Sequence, residues 1–235
     1  MNALDAYIVG IGREQSAKTV KALRRRSNPY SVASNLHQSS GQPIDHARQE
    51  GEAAAGKKVD CKASCSWCCY QPVEVSADEV LLVGRHIEQI TEELRKEIWE
   101  KVSKTAMIVQ SLPNRSRASV SKEGIACPVL GKEGTCVVYL ARPTLCRGND
   151  SFSASDCKQI VQNPDFTGTF TKARFAAQGA SLGHAMALED RGYDGRRYDL
   201  TLALNELHAS GIDRAAASWI EKKQVFDDRA LTLED

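Results

Sequence analysis

Cys61-Lys62-Ala63-Ser64-Cys65-Ser66-Trp67-Cys68-Cys69 places four thiols within nine residues, and they can meet in one small volume only if the backbone curls about a common centre. A metal ion or cluster supplies such a centre. Thiolate is a soft donor that selects zinc, copper(I) or iron–sulfur clusters over magnesium and calcium. Adjacent Cys68 and Cys69 point in different directions in most backbone conformations. One is therefore expected to complete the first site while the other reaches a second ligand set or packs nearby.

That second set follows downstream. Cys127, Cys136, Cys146 and Cys157 are separated by eight, nine and ten residues, a spacing unlike that of zinc fingers or ferredoxins. Their surroundings strengthen the signal: Cys127-Pro128 precedes a glycine-rich turn, and Arg142-Pro143-Thr144-Leu145-Cys146-Arg147 brackets a thiol with two guanidinium groups. Positive charge lowers a thiol pKa and offsets the negative charge of a four-thiolate site. Surface ion pairing is the plain alternative for Arg142 and Arg147.

The bulk numbers decide which chemistry eight cysteines serve. The chain has 235 residues and is 42% hydrophobic, enough to build a core without cross-links. Residues Met1 to Arg13 lack the charged and apolar pattern of a secretory signal, and no stretch nears the roughly 18 apolar residues of a membrane span. The expectation is a cytoplasmic protein with no membrane partner, in a compartment where closely spaced cysteines serve metal or redox chemistry rather than disulfides. A formal net charge of +1 gives no global field, so no nucleic-acid partner is expected.

Helical signals flank the cysteines. Ser76-Ala77-Asp78-Glu79 has the form of a capping box, and Val80, Val83, Ile87 and Ile90 then fall on one face. Leu94, Ile98, Val102, Ala106 and Val109 form another face, ended at Leu112-Pro113-Asn114. Lys172–Asp190, Asp199–Ser210 and Asp213–Gln224 read as helices, the last two with Asp placed to cap. Between 114 and 156, six Gly and Pro residues predict loops, with 135–140 the one strand-like piece. The fold class is mostly α, a helical domain with irregular cysteine-rich loops around a metal centre. Residues 13–26 are basic and helix-compatible, and 31–58 are rich in Ser, Gln, Gly and Ala with little periodicity. Residues 1–56 are therefore expected as a partly helical or loosely structured N-terminal arm, open to a protein or peptide partner. The metal-binding domain is placed at 57–226 and a tail at 227–235.

The two cysteine sets together, with Cys127-Pro128-Val129-Leu130, Gly134-Thr135-Cys136, Tyr139 and Arg142-Pro143-Thr144-Leu145-Cys146-Arg147, resemble the bacterial zinc- or iron-chelating cysteine-cluster family (CxxCxxCC, YkgJ-type). The resemblance covers roughly Cys61 to Cys157. It implies a metal site built from all eight cysteines, Cys61, Cys65, Cys68, Cys69, Cys127, Cys136, Cys146 and Cys157, with Arg142 and Arg147 around it, and no particular substrate. A similar segment in flagellin lysine methylases implies one enzymatic alternative, a cluster-dependent modification of a protein or peptide, with S-adenosylmethionine entering only under that alternative.

Cys61-x-x-x-Cys65-x-x-Cys68 also has radical S-adenosylmethionine spacing, but the following residues read as helices without the repeated buried strands of a βα barrel. Zinc takes four ligands, so eight thiols could close two structural sites. One iron–sulfur cluster takes four and leaves four for a second cluster, zinc or redox exchange. The compact first block favours iron–sulfur over zinc. Metal storage or delivery would use the same thiols as exchangeable ligands. His37 and His46 fall in the arm, and His86, His184 and His208 fall on helices as ordinary packed or surface residues. None is assigned a catalytic role, and the catalytic residues, if the chain is an enzyme, are left unassigned.

Overall fold

The computed structural model describes residues 2–25, 28–112, 116–163 and 166–232. It is mostly α-helical. Helix α1 spans Ala3–Arg25 and α2 spans Pro29–Ala55. After the first cysteine block come strand β1 (Glu74–Ser76), α3 (Ala77–Glu88) and α4 (Glu92–Ser111). The second cysteine set runs through α5 (Arg117–Lys122), α6 (Thr144–Gly148) and α7 (Ala154–Gln162). Helix α8 (Ala173–Asp190), strand β2 (Arg197–Asp199), α9 (Leu200–Ser210) and α10 (Ile212–Ile220) complete the fold.

Two long helices stand where a partly helical or loosely structured arm was expected. Helix α2 begins at Asn28, whose side chain accepts from Ser31 N–H, with Pro29 at the first turn, and it ends at Gly56 in the left-handed region, a standard start and stop. Its buried face is Val32, Ala33, Leu36, His37, Ser40, Ile44 and Ala47. That is helical spacing, but polar and small residues occupy half of it, and Pro43 lies inside the helix. A hydrophobic pattern therefore does not reveal it. Arg26 of the basic run lies outside the described residues, as do Pro113 and Asn114 beyond α4.

A small-residue face on α8, with Gly179 and Gly183, lets α1 come close. A methyl group added at Gly183 would collide with the backbone of Gly12, and one at Gly179 would meet Ile8 O at 2.6 Å. Close backbone approach is the physical use of glycine here.

The larger core forms where α3, α4, α9 and α10 pack together, around Val80, Leu81, Ile87, Ile98, Val102, Leu204 and Trp219. Trp99 of α4 stacks on His208 of α9, ring centres 4.6 Å apart. Strands β1 and β2 pair antiparallel, with Val75 opposite Tyr198, and lock the end of the first cysteine loop to the start of α9. Asp199 caps α9 by accepting from Thr201 and Leu202 N–H. Asp213 does not cap: Gly211 precedes α10, and Asp213 lies in its first turn, where a carboxylate still favours the helix dipole. Helix α10 stops at Ile220, short of Gln224. No strand forms over 135–140. Cys136 makes a single bridge to Leu130, and Tyr139–Ala141 is a turn of 3-10 helix. In the tail, Leu231 bridges Tyr198 and Ala230 is buried; residues 233–235 lie outside the described residues. Among the described residues, no helix is long and apolar enough to cross a membrane.

Candidate metal centre

The first cysteine loop leaves α2 and is fastened at both ends. Asp60 N–H donates to Ser151 O at 2.9 Å, and the Asp60 carboxylate accepts from Ala154 N–H at 3.0 Å. This lays Cys61 against the second set's last segment, its thiol 3.9 Å from Ser151 O. Lys62 O accepts from Cys65 N–H, and Ser66 O accepts from Cys69 N–H at the start of a 3-10 turn over Trp67–Tyr70. The loop turns at Ser64, φ +66°, directly against Gly134, where an added methyl would come within 2.9 Å of Ser64 O. At the far end Cys69 O accepts from Cys127 N–H at 2.7 Å, so the second set begins in contact with the first.

Downstream, Gly131 N–H donates to Thr135 O and Val137 N–H to Val129 O, a short hairpin that returns Cys136 beside Cys127. Cys146 lies in α6 and Cys157 in α7, whose start is capped by the Ser153 hydroxyl accepting from Asp156 N–H. Arg147 ties the α6 turn to itself, donating through Nε to Arg142 O at 2.7 Å and through Nη2 to Leu140 O at 2.8 Å. Arg142 donates to Cys146 O and lies over the Tyr139 ring. Arg48 of α2 donates to Asp150 at 2.6 Å and to Arg147 O. That tether from the N-terminal helices carries no sequence signature.

The electrostatics divide the thiols into two neighbouring groups. Burial pushes Cys61 and Cys157 up, and each feels Cys65 and Cys68 as neighbours. In the other group burial pushes Cys127 up to about 12 and also raises Cys136 and Cys146, each of them feeling Cys68. Cys68 stands between the groups. It accepts a hydrogen bond from the Cys69 thiol, and with the nearby Arg142 charge this holds it down at about 6 against burial, while Cys69 is raised.

All eight cysteines are free. Cys61 is exposed and the others are half-buried. Among the described residues, no three Cys, His, Asp or Glu side chains stand as a closed shell around one point. The donor chemistry fits a soft metal and the thiols share one neighbourhood, but neutral thiols pack as small apolar groups. A shell at thiolate–metal distances of about 2.3 Å forms only once they ionise. Arg142 is the sequence-selected arginine that faces the thiols: burial disfavours its charge, yet Cys146, Cys68 and Cys136 raise its pKa. Arg147 is lowered, by burial and by Arg142, and works chiefly as a backbone clamp. Beside Cys127 a cavity of about 20 Å³, lined in part by Gln71, Ile125 and Leu200, has room for a water and not for an organic substrate.

A buried polar cluster next to this centre escaped the sequence reading. Asp78 faces His184 at 3.0 Å, and Glu79 faces His37 at 3.1 Å, all four 8% exposed or less. Only the Ser76–Glu79 capping box hinted at it.

Compared with known proteins, residues 60–168 match the family model CxxCxxCC, described as a "putative zinc- or iron-chelating domain". The matched stretch contains all eight cysteines and leaves out α1, α2 and α8–α10. No curated protein and no solved structure matches the chain.

Proposed function

With residues 60–168 read as a CxxCxxCC-type chelating segment, we propose that this chain is a metal-binding protein holding iron, in iron–sulfur form, through its eight cysteines. What supports the reading is that hydrogen bonds hold two distant cysteine stretches together, Asp60 to Ser151 and Ala154 and Cys127 to Cys69, with the thiols influencing one another electrostatically as two adjoining groups. Cys61, Cys65 and Cys157 form one, Cys69, Cys127, Cys136 and Cys146 the other, and Cys68 lies at their junction. With Cys68 counted in the first, each group offers the four thiolates that a cluster or a zinc ion requires. A cluster held there would supply electron transfer or an open iron site. The chain's own part is to gather the thiols, to balance their charge with Arg142 and to half-bury all but Cys61.

Iron–sulfur is preferred to zinc because the four-thiol block of nine residues resembles a cluster-binding loop more than a pair of zinc knuckles. The exposure of Cys61 favours a second reading, delivery or storage, in which metal enters and leaves through that side.

Elemental analysis of anaerobically purified protein tests the proposal. Iron with matching sulfide and a visible thiolate-to-iron absorption band is the expected result. Zinc at two per chain overturns the cluster, and absence of either metal after anaerobic reconstitution overturns metal binding itself.

A further inference from the structure

Glu79 is 1% exposed, and each of its carboxylate oxygens serves the start of a different helix. Oε2 accepts from Ser76 N–H at 3.3 Å, at the head of its own α3. Oε1 accepts from Thr144 N–H at 2.8 Å, the first residue of α6. Helix α6 has five residues, too few to hold itself together, and Pro143 before it has no side chain that can accept from its free amides. A carboxylate 65 positions earlier in the chain takes that place. Two residues past Thr144 is Cys146.

His37, on the buried face of α2, completes a ring. Its Nε2 lies 3.1 Å from Glu79 Oε1, and its Nδ1 lies 3.4 Å from Arg147 Nη2. Arg147 can only donate, which makes Nδ1 the acceptor and Nε2–H the donor to Glu79. The path Glu79, Thr144, α6, Arg147, His37 and back to Glu79 encloses the one turn of helix that presents Cys146. Neither Glu79 nor His37 bonds to a thiol.

On the reading that the cysteines hold metal, we infer that Glu79 and His37 are positioning residues for Cys146, carried by helices that are not part of the cysteine loops. The ligand turn is thereby referenced to α2 and α3 rather than to its own short backbone. This is the arrangement by which groups beyond the ligands set metal affinity elsewhere.

The adjacent pair provides an internal control. Asp78 and His184 are equally buried, but their hydrogen bonds run to Ser76 and to Thr19 of α1 and not to the cysteine loops. Full-length protein, stripped of metal and kept reduced, would be titrated anaerobically with cobalt(II). Affinity is read by competition with a chelator, and ligand set by the intensity of the thiolate-to-cobalt band. His37→Leu should weaken binding about tenfold and dim the band, and His37→Gln, which keeps a side-chain N–H for Glu79, should restore most of both. His184→Leu should bind as wild type. Wild-type binding by His37→Leu, or equal weakening by His184→Leu, overturns the inference, the second by showing general loosening of the core. If His37→Leu loses its helical signal, His37→Asn, too short to reach Glu79, is read against the same two outcomes. A wild-type protein without any thiolate band fails the metal-binding reading itself, and is thereby told apart from a failure of positioning alone.

Discussion

At the scale of single residues, the buried ionised groups govern how stability follows pH. Burial alone would raise the Glu79 carboxyl, but His37 and the Thr144 amide hold it at about 2, below its ordinary 4.5. A depressed carboxyl stabilises the fold above its unfolded value, and that contribution, on the order of 3 kcal/mol, is lost as pH falls from about 4.5 through 2. His184 has the opposite sign. Burial opposes its charge, yet Asp78 raises it above 6.5, so its contribution is full below pH 6.5 and is lost as pH climbs through the raised value. Urea denaturation of reduced, metal-free protein should therefore show a stability plateau between about pH 4.5 and 6.5, and Glu79→Gln should remove most of the acid limb. The Thr144 hydroxyl gives a second test. It is buried without a hydrogen-bond partner among the described residues, so Thr144→Val, which keeps the shape and the backbone N–H, should leave the denaturation midpoint unchanged or raise it slightly. A drop of more than about 1 kcal/mol would mean that the hydroxyl has a partner.

At the scale of elements, two contacts depend on the absence of a side chain. Helix α8 meets α1 at Gly183 and Gly179, so Gly183→Ala must push the helices apart or bend one of them. Such overpacking costs about 1–3 kcal/mol, read as a lower denaturation midpoint, and a midpoint equal to wild type would show that α1 is not docked there. Gly134 has φ +69° and faces Ser64 across the two cysteine loops. Gly134→Ala therefore combines left-handed strain of about 1–2 kcal/mol with a clash against the first loop. Because both loops bear thiols, metal content should fall with stability, and retention of full metal would separate the loop contact from the site. The division of thiols also makes an element-level prediction: Cys157→Ser and Cys136→Ser should each remove about half of the bound metal, since they belong to different groups.

At the scale of the whole molecule, most of the core belongs to helices that carry no cysteine. Trp219, Leu204, Val80 and Ile98 are buried among α3, α4, α9 and α10, and the cysteine segment adds Val129, Val138 and Ala141 at the edge of that core and packs Cys127 and Cys136 against it. Metal removal by a chelator should therefore leave most of the helical circular dichroism in place, while trypsin cuts within 56–73 and 124–157 faster than before. Loss of the helical signal together with the metal would make the centre structural and would count against an exchangeable site. The N-terminal helices belong to this core as well, reaching the centre through Arg48 and His37.

Much of this was legible in the residues themselves. The helical class, α3 and α4 and the Asp199 cap each rest on local spacing or on one residue's geometry, and local rules survive folding. Eight thiols with two arginines, in a segment matched by a chelating family, likewise follow from the order of residues. Helix α2 did not show, because its inner face is built partly from His37, Ser40 and Ala47, whose burial depends on what lies opposite. For the same reason the Glu79–Thr144 and Arg48–Asp150 bonds, spanning 65 and 102 positions, left no periodic trace. The sequence by itself determined which atoms are soft donors suited to a metal. Only the tertiary structure decided which of them are neighbours and what holds them, because both are set by long-range packing of helices that carry no cysteine.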